Sequence, residues 1–223
     1  MEKFLGALFC GGRGTRLGEI TRYISKSFVP IYDRPVFRFG LDLLEKSTHI
    51  DEIIILTNDE NNEKLQQIGY PTIIQDDHVT FDMFSGWEYI KTVTQTKKHG
   101  VLMPGDNISN IDIDELIELF LRKDVDLVAS LFKVRNRKRL SQMGCYDPGA
   151  KKFYYKHPDP PTSFGLIAPY IIRNFLKADE GDNILNHWNS IFREHKGYWF
   201  DVGDYENLIK AAVFYRRTHY VSI

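Results

Sequence analysis

A glycine-rich turn, Gly11-Gly12-Arg13-Gly14-Thr15-Arg16-Leu17, follows the first apolar run of this chain. Behind it stand Lys26 in Ser25-Lys26-Ser27, Asp106 in Pro104-Gly105-Asp106-Asn107, and Asp201 in Trp199-Phe200-Asp201-Val202-Gly203. Glycines let a backbone approach phosphate oxygens and aim N–H groups at them. Arg16 adds a planar fork suited to bidentate phosphate contact, and Lys26 adds a point charge. Two acidic residues far apart in sequence suit a hard divalent cation that also takes phosphate oxygens and water. A phosphate cradle, two cations and two carboxylates are the parts needed to transfer a nucleotidyl group with a divalent metal. Each residue also has a plainer reading: surface cations for Arg16 and Lys26, turn-forming acids for Asp106 and Asp201. No Ser-His-Asp or Cys-His arrangement stands out, and a substrate that carries its own nucleophile would need none.

Gly12-Arg13-Gly14 after a strand also suggests a dinucleotide fingerprint. That motif needs its third glycine three residues on, where Leu17 stands, and a helix that starts inside it. Residues 18–30 read instead as loop and extended chain, with Pro30 and Pro35 as breakers. No Walker sequence is present either.

The elements that must position these residues alternate. Strands are expected at Leu5–Cys10, Glu52–Thr57, Pro71–Gln75, Gly100–Met103 and Asp126–Phe132, from short apolar runs that suit a parallel sheet buried on both faces. Helices are expected at Val36–Leu44, Asn61–Ile68, Asp82–Thr94 and Ile113–Arg122, the last with Asp112 as N-cap. This alternation predicts an α/β fold with a mostly parallel sheet, whose ligands bind at the carboxyl ends of strands. The glycine turn and Asp106 both fall at such ends. The second half differs: aromatic strands within Gly144–Tyr155 around Asp147-Pro148-Gly149, a strand at Phe164–Ile172, a helix at Asn183–Glu194, a strand at Tyr198–Asp201 and a helix at Tyr205–Arg217. No linker separates the halves. One domain over 1–223 is expected, with a nucleotide-binding half (1–132) and an acceptor-binding half (133–223).

The run Leu8-Phe9-Cys10-Gly11-Gly12-Arg13-Gly14-Thr15-Arg16-Leu17, with Ser25-Lys26 and Val29-Pro30-Ile31-Tyr32-Asp33-Arg34-Pro35, resembles the signature of the sugar-1-phosphate nucleotidylyltransferases. Gly105-Asp106-Asn107 and Trp199-Phe200-Asp201-Val202-Gly203 resemble the family's two metal-site motifs. The resemblance implies a Rossmann-like, three-layer α/β fold with an inserted acceptor-binding region. It implies a reaction that joins a nucleoside triphosphate (dTTP or CTP) to a sugar 1-phosphate or similar small phosphate and releases pyrophosphate. Asp106 and Asp201 would hold Mg²⁺. Arg16 and Lys26 would be catalytic, on the triphosphate and the α-phosphate. Gly11, Gly12, Gly14, Thr15, Gly105 and Gln75 would contact the nucleotide, with Gln75 against the base edge. Gly144 would lie near the sugar.

The chain departs from the family in two loops. Asp76-Asp77-His78-Val79-Thr80-Phe81-Asp82 replaces the usual base-recognition loop. Tyr155-Lys156-His157-Pro158 stands where the family carries Glu-Lys-Pro, so Lys156, or His157 in its place, would meet the acceptor phosphate. The missing glutamate suggests an acceptor other than plain glucose 1-phosphate. Phosphocholine as acceptor, and a catalytically silent nucleotide sensor, are the competing readings. The long C-terminal extensions that regulate some members are not expected.

Of the 223 residues, 43% are hydrophobic, enough for a sizeable core, and the formal net charge is −1. No global field therefore favours nucleic acid or an anionic membrane. The basic run Lys133, Arg135, Arg137, Lys138 and Arg139 reads as a solvated surface segment, with a role on a substrate phosphate as the alternative. The two cysteines, Cys10 and Cys145, form no metal motif, and Cys10 reads as a packed thiol. No apolar run reaches the ~18 residues of a membrane span, and no signal-peptide core precedes the first strand. A cytoplasmic protein is expected, with a homo-oligomer compatible with the family.

Overall fold

Alternation along the first strand builds the core. A computed structural model of the chain describes residues 2–175 and 188–220. In β1 (Phe4–Phe9), Phe4 and Leu8 point to one face and Leu5 and Ala7 to the other, all four buried. Helices cover both faces. α1 (Phe37–Lys46) and α4 (Ile113–Lys123) lay Leu41, Leu44, Ile117 and Phe120 on the Phe4 side. α3 (Met83–Thr94) lays Trp87 and Ile90 on the Leu5 side. The result is the expected three-layer sandwich. Asp112 caps α4 as expected, accepting from the Glu115 N–H at 3.2 Å.

β1 pairs in parallel with β4 (Ile50–Thr57) and β6 (His99–Pro104), and β4 pairs with β5 (Thr72–Ile74). The parallel core therefore reads β6-β1-β4-β5 across the sheet. Strand order reverses between β1 and β6, which opens a crevice outside their carboxyl ends. α2 (Asp59–Gln66) follows β4.

The sheet continues through antiparallel neighbours. β11 (Phe164–Ile172) pairs with β6 and with β8 (Leu127–Lys133), and touches the hairpin β9 (Gly144–Asp147)–β10 (Lys152–Tyr155). Two small two-stranded sheets stand apart. β2 (Pro30–Ile31) pairs with β3 (Arg34–Pro35), and β7 (Asn107–Ser109) pairs with β13 (Trp199–Asp201). α5 (Arg137–Leu140) precedes β9, and α6 (Tyr205–His219) follows β13.

Two expectations fail here. The helix expected over Asn183–Glu194 is partly a strand: β12 (Ser190–Glu194) pairs in parallel with the outer edge of β8. Residues 183–187 of that expectation lie outside the described residues. Ile191 packs against the core on one face of β12 and Phe192 on the other, so the alternating pattern and the open edge of β8 override helical spacing. The stretch 18–30, read as loop and extended chain, holds most of two 3-10 turns, at 15–22 and 26–28, the first kinked at Gly18. Neither is the α-helix that a dinucleotide motif requires.

Candidate functional site

The sheet's hydrogen-bond ladder extends past the strand ends into the loops that carry the site. The Cys10 N–H donates to Leu56 O (2.7 Å), the Gly105 N–H to Phe9 O (2.8 Å) and the Gln75 N–H to Thr57 O (2.7 Å). Gly11, Gln75 and Gly105-Asp106 thus leave the carboxyl ends of β1, β5 and β6 in fixed positions. Gln75 lies across the glycine turn: a Cβ on Gly11 would fall 1.8 Å from Gln75 Oε1, so a larger residue there would have to displace the Gln75 carboxamide. Gly14 has φ +65°, and a Cβ there would meet Lys26 Cβ at 2.8 Å, so the turn packs on the lysine stem. Gly12 faces open space, and Thr15 begins the first 3-10 turn.

Lys26 is held from behind. Ser27 Oγ donates to Cys10 O at 3.0 Å, and the buried Asn61 donates to Ser25 Oγ at 2.7 Å. Lys26 Nζ then forms an ion pair with Asp106 Oδ2. Asp106 Oδ1 accepts from Asn107 Nδ2 at 2.8 Å, and Asn107 Oδ1 accepts from Trp199 Nε1 at 2.7 Å. Across the small sheet Asp201 pairs with Asn107, and the Val202 N–H donates to Asp106 O at 2.8 Å. Asp106 and Asp201, 95 residues apart in the chain, become neighbours through this pairing.

Arg16 reaches the same place, its Nη2 standing 2.6 Å from where a Cβ on Gly203 would be. Asp201 Oδ1 lies on that side, at 3.1 Å from the same point. On the other side Arg139 Nη2 approaches Asp201 Oδ2 at 3.6 Å. Burial and the Asp106 carboxylate push the Asp201 carboxyl above the usual range, while Lys26, Arg139 and Arg16 pull it back. Three cations face two carboxylates, which leaves a positive surplus for anionic substrates. The two carboxylates also fit a divalent cation: they are half-buried, close enough to raise Asp201's proton affinity, and composed of hard oxygen donors.

Arg139 was hidden in the basic run that reads as solvated surface. Its guanidinium stacks 4.7 Å from the Trp199 ring centroid and donates to Asn207 Oδ1 at 2.7 Å. The available signal was Trp199, an aromatic face two residues before a candidate metal ligand. The run's other members differ: Lys138 is exposed, and Arg137 ties down the loop at Asp159 (2.8 Å), Thr162 O (3.0 Å) and Pro160 O.

On the acceptor side Gly144 begins β9 against the Phe153 ring. Lys156 is exposed, with φ +45° and its Nζ 4.8 Å over the Tyr155 ring. His157 stands edge-on to Tyr154. Phe153 and Phe164 pack in one core cluster, while Tyr155 is exposed. On the base side Gln75 Nε2 donates to Asp77 Oδ1 (2.6 Å), and Arg13 of the glycine turn pairs with Asp77 Oδ2 (2.9 Å). The Gln75 bond and then Arg13 hold the Asp77 carboxyl below its usual range. His78 is exposed. Cys10 is a packed thiol, pushed up to about 12 by burial, and no nucleophile. Among the described residues no helix is long and apolar enough to cross a membrane, and no cluster of three or more metal-ligating side chains occurs.

A glycine turn at a topological switch point, facing paired carboxylates and cations, defines a nucleotidyltransferase type of site. The sequence model of the family described as Nucleotidyl transferase matches residues 5–152, and the chain belongs to that family. The low-salt glycan biosynthesis nucleotidyltransferase Agl11 of Haloferax volcanii is 24% identical over 92% of the chain. The glucose-1-phosphate adenylyltransferase of Fusobacterium nucleatum is 24% identical over 94% of it. The chain spans 64% and 66% of the lengths of these two relatives. A solved structure described as a glucose-1-phosphate thymidylyltransferase from Bacillus anthracis, in complex with sucrose, superposes with a TM-score of 0.80. It covers 96% of this chain and 95% of its own at 21% identity, which establishes the shared fold.

Proposed function

We propose that this chain is a Mg²⁺-dependent nucleotidylyltransferase that joins a nucleoside triphosphate to a sugar 1-phosphate or similar small phosphate and releases pyrophosphate. The observation that carries the reading is the convergence of Arg16, Lys26, Asp106, Asp201 and Arg139 beside the glycine turn. The names of the two curated relatives, one acting on glucose 1-phosphate and one in glycan biosynthesis, agree with it.

Residues 1–132 carry the triphosphate side and 133–223 the acceptor side. The backbone of Gly11, Gly12, Gly14, Thr15 and Gly105 cradles the triphosphate, and Gln75 meets the base of dTTP or CTP. Arg16 holds the phosphates that leave. Lys26 exchanges its Asp106 partner for the α-phosphate as charge builds there. An oxygen of the acceptor phosphate forms the new bond to the α-phosphorus. The bond from that phosphorus to the bridging oxygen breaks, and its electron pair leaves with pyrophosphate. Asp106 and Asp201 would hold Mg²⁺, which when bound neutralises charge between two anionic reactants. The acceptor phosphate is its own nucleophile, so the protein's task is to position and neutralise.

The test is pyrophosphate release with Mg²⁺ across CTP, dTTP, UTP, GTP and ATP, each against a panel of sugar 1-phosphates and phosphocholine. Release with one pair is the expected result. Nucleotide binding without release across the panel would favour a sensor, and no binding at all would remove the reading.

A further inference from the structure

Arg139 is the cation of the cluster to which the reading above gives no task. Its guanidinium is fixed on two sides, by the Trp199 ring and by Asn207 Oδ1. Asn207 is itself oriented: its Nδ2 donates to Asp204 Oδ2 at 2.8 Å and its N–H to Asp204 Oδ1 at 2.9 Å. The carboxamide oxygen is thereby turned to Arg139, so the first turn of α6 aims the fork. Arg139 Nη2 is the remaining corner. It is buried and, among the described residues, has no hydrogen-bond acceptor, since 3.6 Å to Asp201 Oδ2 is too long for a hydrogen bond. A buried guanidinium N–H without an acceptor is the exception in folded proteins and calls for one.

We infer that Arg139 is the acceptor-phosphate ligand: its free Nη2 takes an oxygen of the acceptor's phosphate monoester and holds that group beside Asp201. The inference rests on the proposed reaction. Arg16 and Lys26 emanate from the glycine-turn side and serve the triphosphate. Arg139 comes from the other half, one turn before Gly144, and the connection is tight, with the Met143 N–H donating to Leu140 O at 3.3 Å. Arg137 is committed to the 159–162 loop. Lys156, the cation that the family motif would nominate, is exposed on the Tyr155 ring, while Arg139 is among the charges that act on Asp201. A planar fork stacked on an indole suits a phosphate monoester better than a mobile ammonium does.

The experiment uses the productive substrate pair found in the panel and varies each substrate in turn for the wild-type chain, Arg139→Ala, Arg139→Lys and, as control, Lys138→Ala on the same short helix. The expected result for Arg139→Ala is an acceptor KM raised by at least ~10-fold, with the triphosphate KM within about twofold. Arg139→Lys should recover only part of the loss, and Lys138→Ala should match the wild type. Thermal unfolding checks that each variant folds, and Arg139→Lys carries the test if Arg139→Ala does not. An equal rise in both KM values, or an unchanged acceptor KM in a folded variant, would overturn the inference while leaving the proposed reaction standing. No release by the wild-type chain with any pair would overturn the reaction and the inference together.

Discussion

The two sides of the crevice are built differently. On the nucleotide side, the loops leave parallel strands whose ladder bonds run on into Cys10, Gln75 and Gly105, and the side chains they carry are clamped by close packing. On the acceptor side, the β9–β10 hairpin joins the main sheet at one register pair, Gly165 with Cys145. The loop behind it is fastened by Arg137. In the proposed reading, chemistry common to every nucleotidyl transfer would sit on the part anchored to the parallel ladder, and recognition of one acceptor on the loosely joined part. The base loop is intermediate. It follows the edge strand β5 and is clipped by Arg13–Asp77, a pair with side chains 79% and 53% exposed and hence easily screened.

The contrast can be broken at graded cost. The largest effect should come from Trp87→Ala, which empties a fully buried site under β1, β4 and β6. It should destabilise the fold by about 3–5 kcal/mol, read by denaturant unfolding. Next, Lys26→Ala should lower kcat by roughly 10²-fold, a loss of about 2.7 kcal/mol in the transition state, with a smaller change in triphosphate affinity. Single-turnover kinetics would separate the two. On the acceptor side, Gly144→Ala drives a methyl to 2.8 Å from the Phe153 ring. It should cost about 1–3 kcal/mol of stability and raise the acceptor KM before the triphosphate KM. Smallest of all, Arg13→Ala should leave the melting temperature unchanged at physiological salt, because its partner Asp77 is exposed. If that variant destabilised the fold as much as Gly144→Ala, the base loop would belong with the rigid side.

The same division decides what the sequence reveals. β1, the glycine turn, α3, α4 with its Asp112 cap and β11 are legible because local pattern and tertiary role agree. Phe164–Ile172 is found to the residue. Asp106 and Asp201 are legible as residue types at strand ends, but their adjacency depends on β7 pairing with β13, whose Asn107 and Asp201 lie 94 residues apart. Arg139 is legible only as one member of a run of five cations that reads first as solvated surface and second as a phosphate contact, and nothing local says which of them turns inward onto Trp199. β12 is missed for a related reason: the open edge of β8 makes it a strand, while its own residues also carry helical spacing. The 3-10 turns at 15–22 and 26–28 are too short for periodicity to register.

The central claim is that Asp106 and Asp201 act together on the reacting phosphates, and exchanging one oxygen of each tests it most directly. Pyrophosphate release would be compared among the wild-type chain, Asp106→Asn and Asp201→Asn at saturating Mg²⁺, with nucleotide binding measured in parallel. The account predicts that each variant folds and still binds nucleotide but turns over at least ~100-fold more slowly, as expected where several kcal/mol of charge stabilisation are removed. Near-normal turnover in either variant would contradict it.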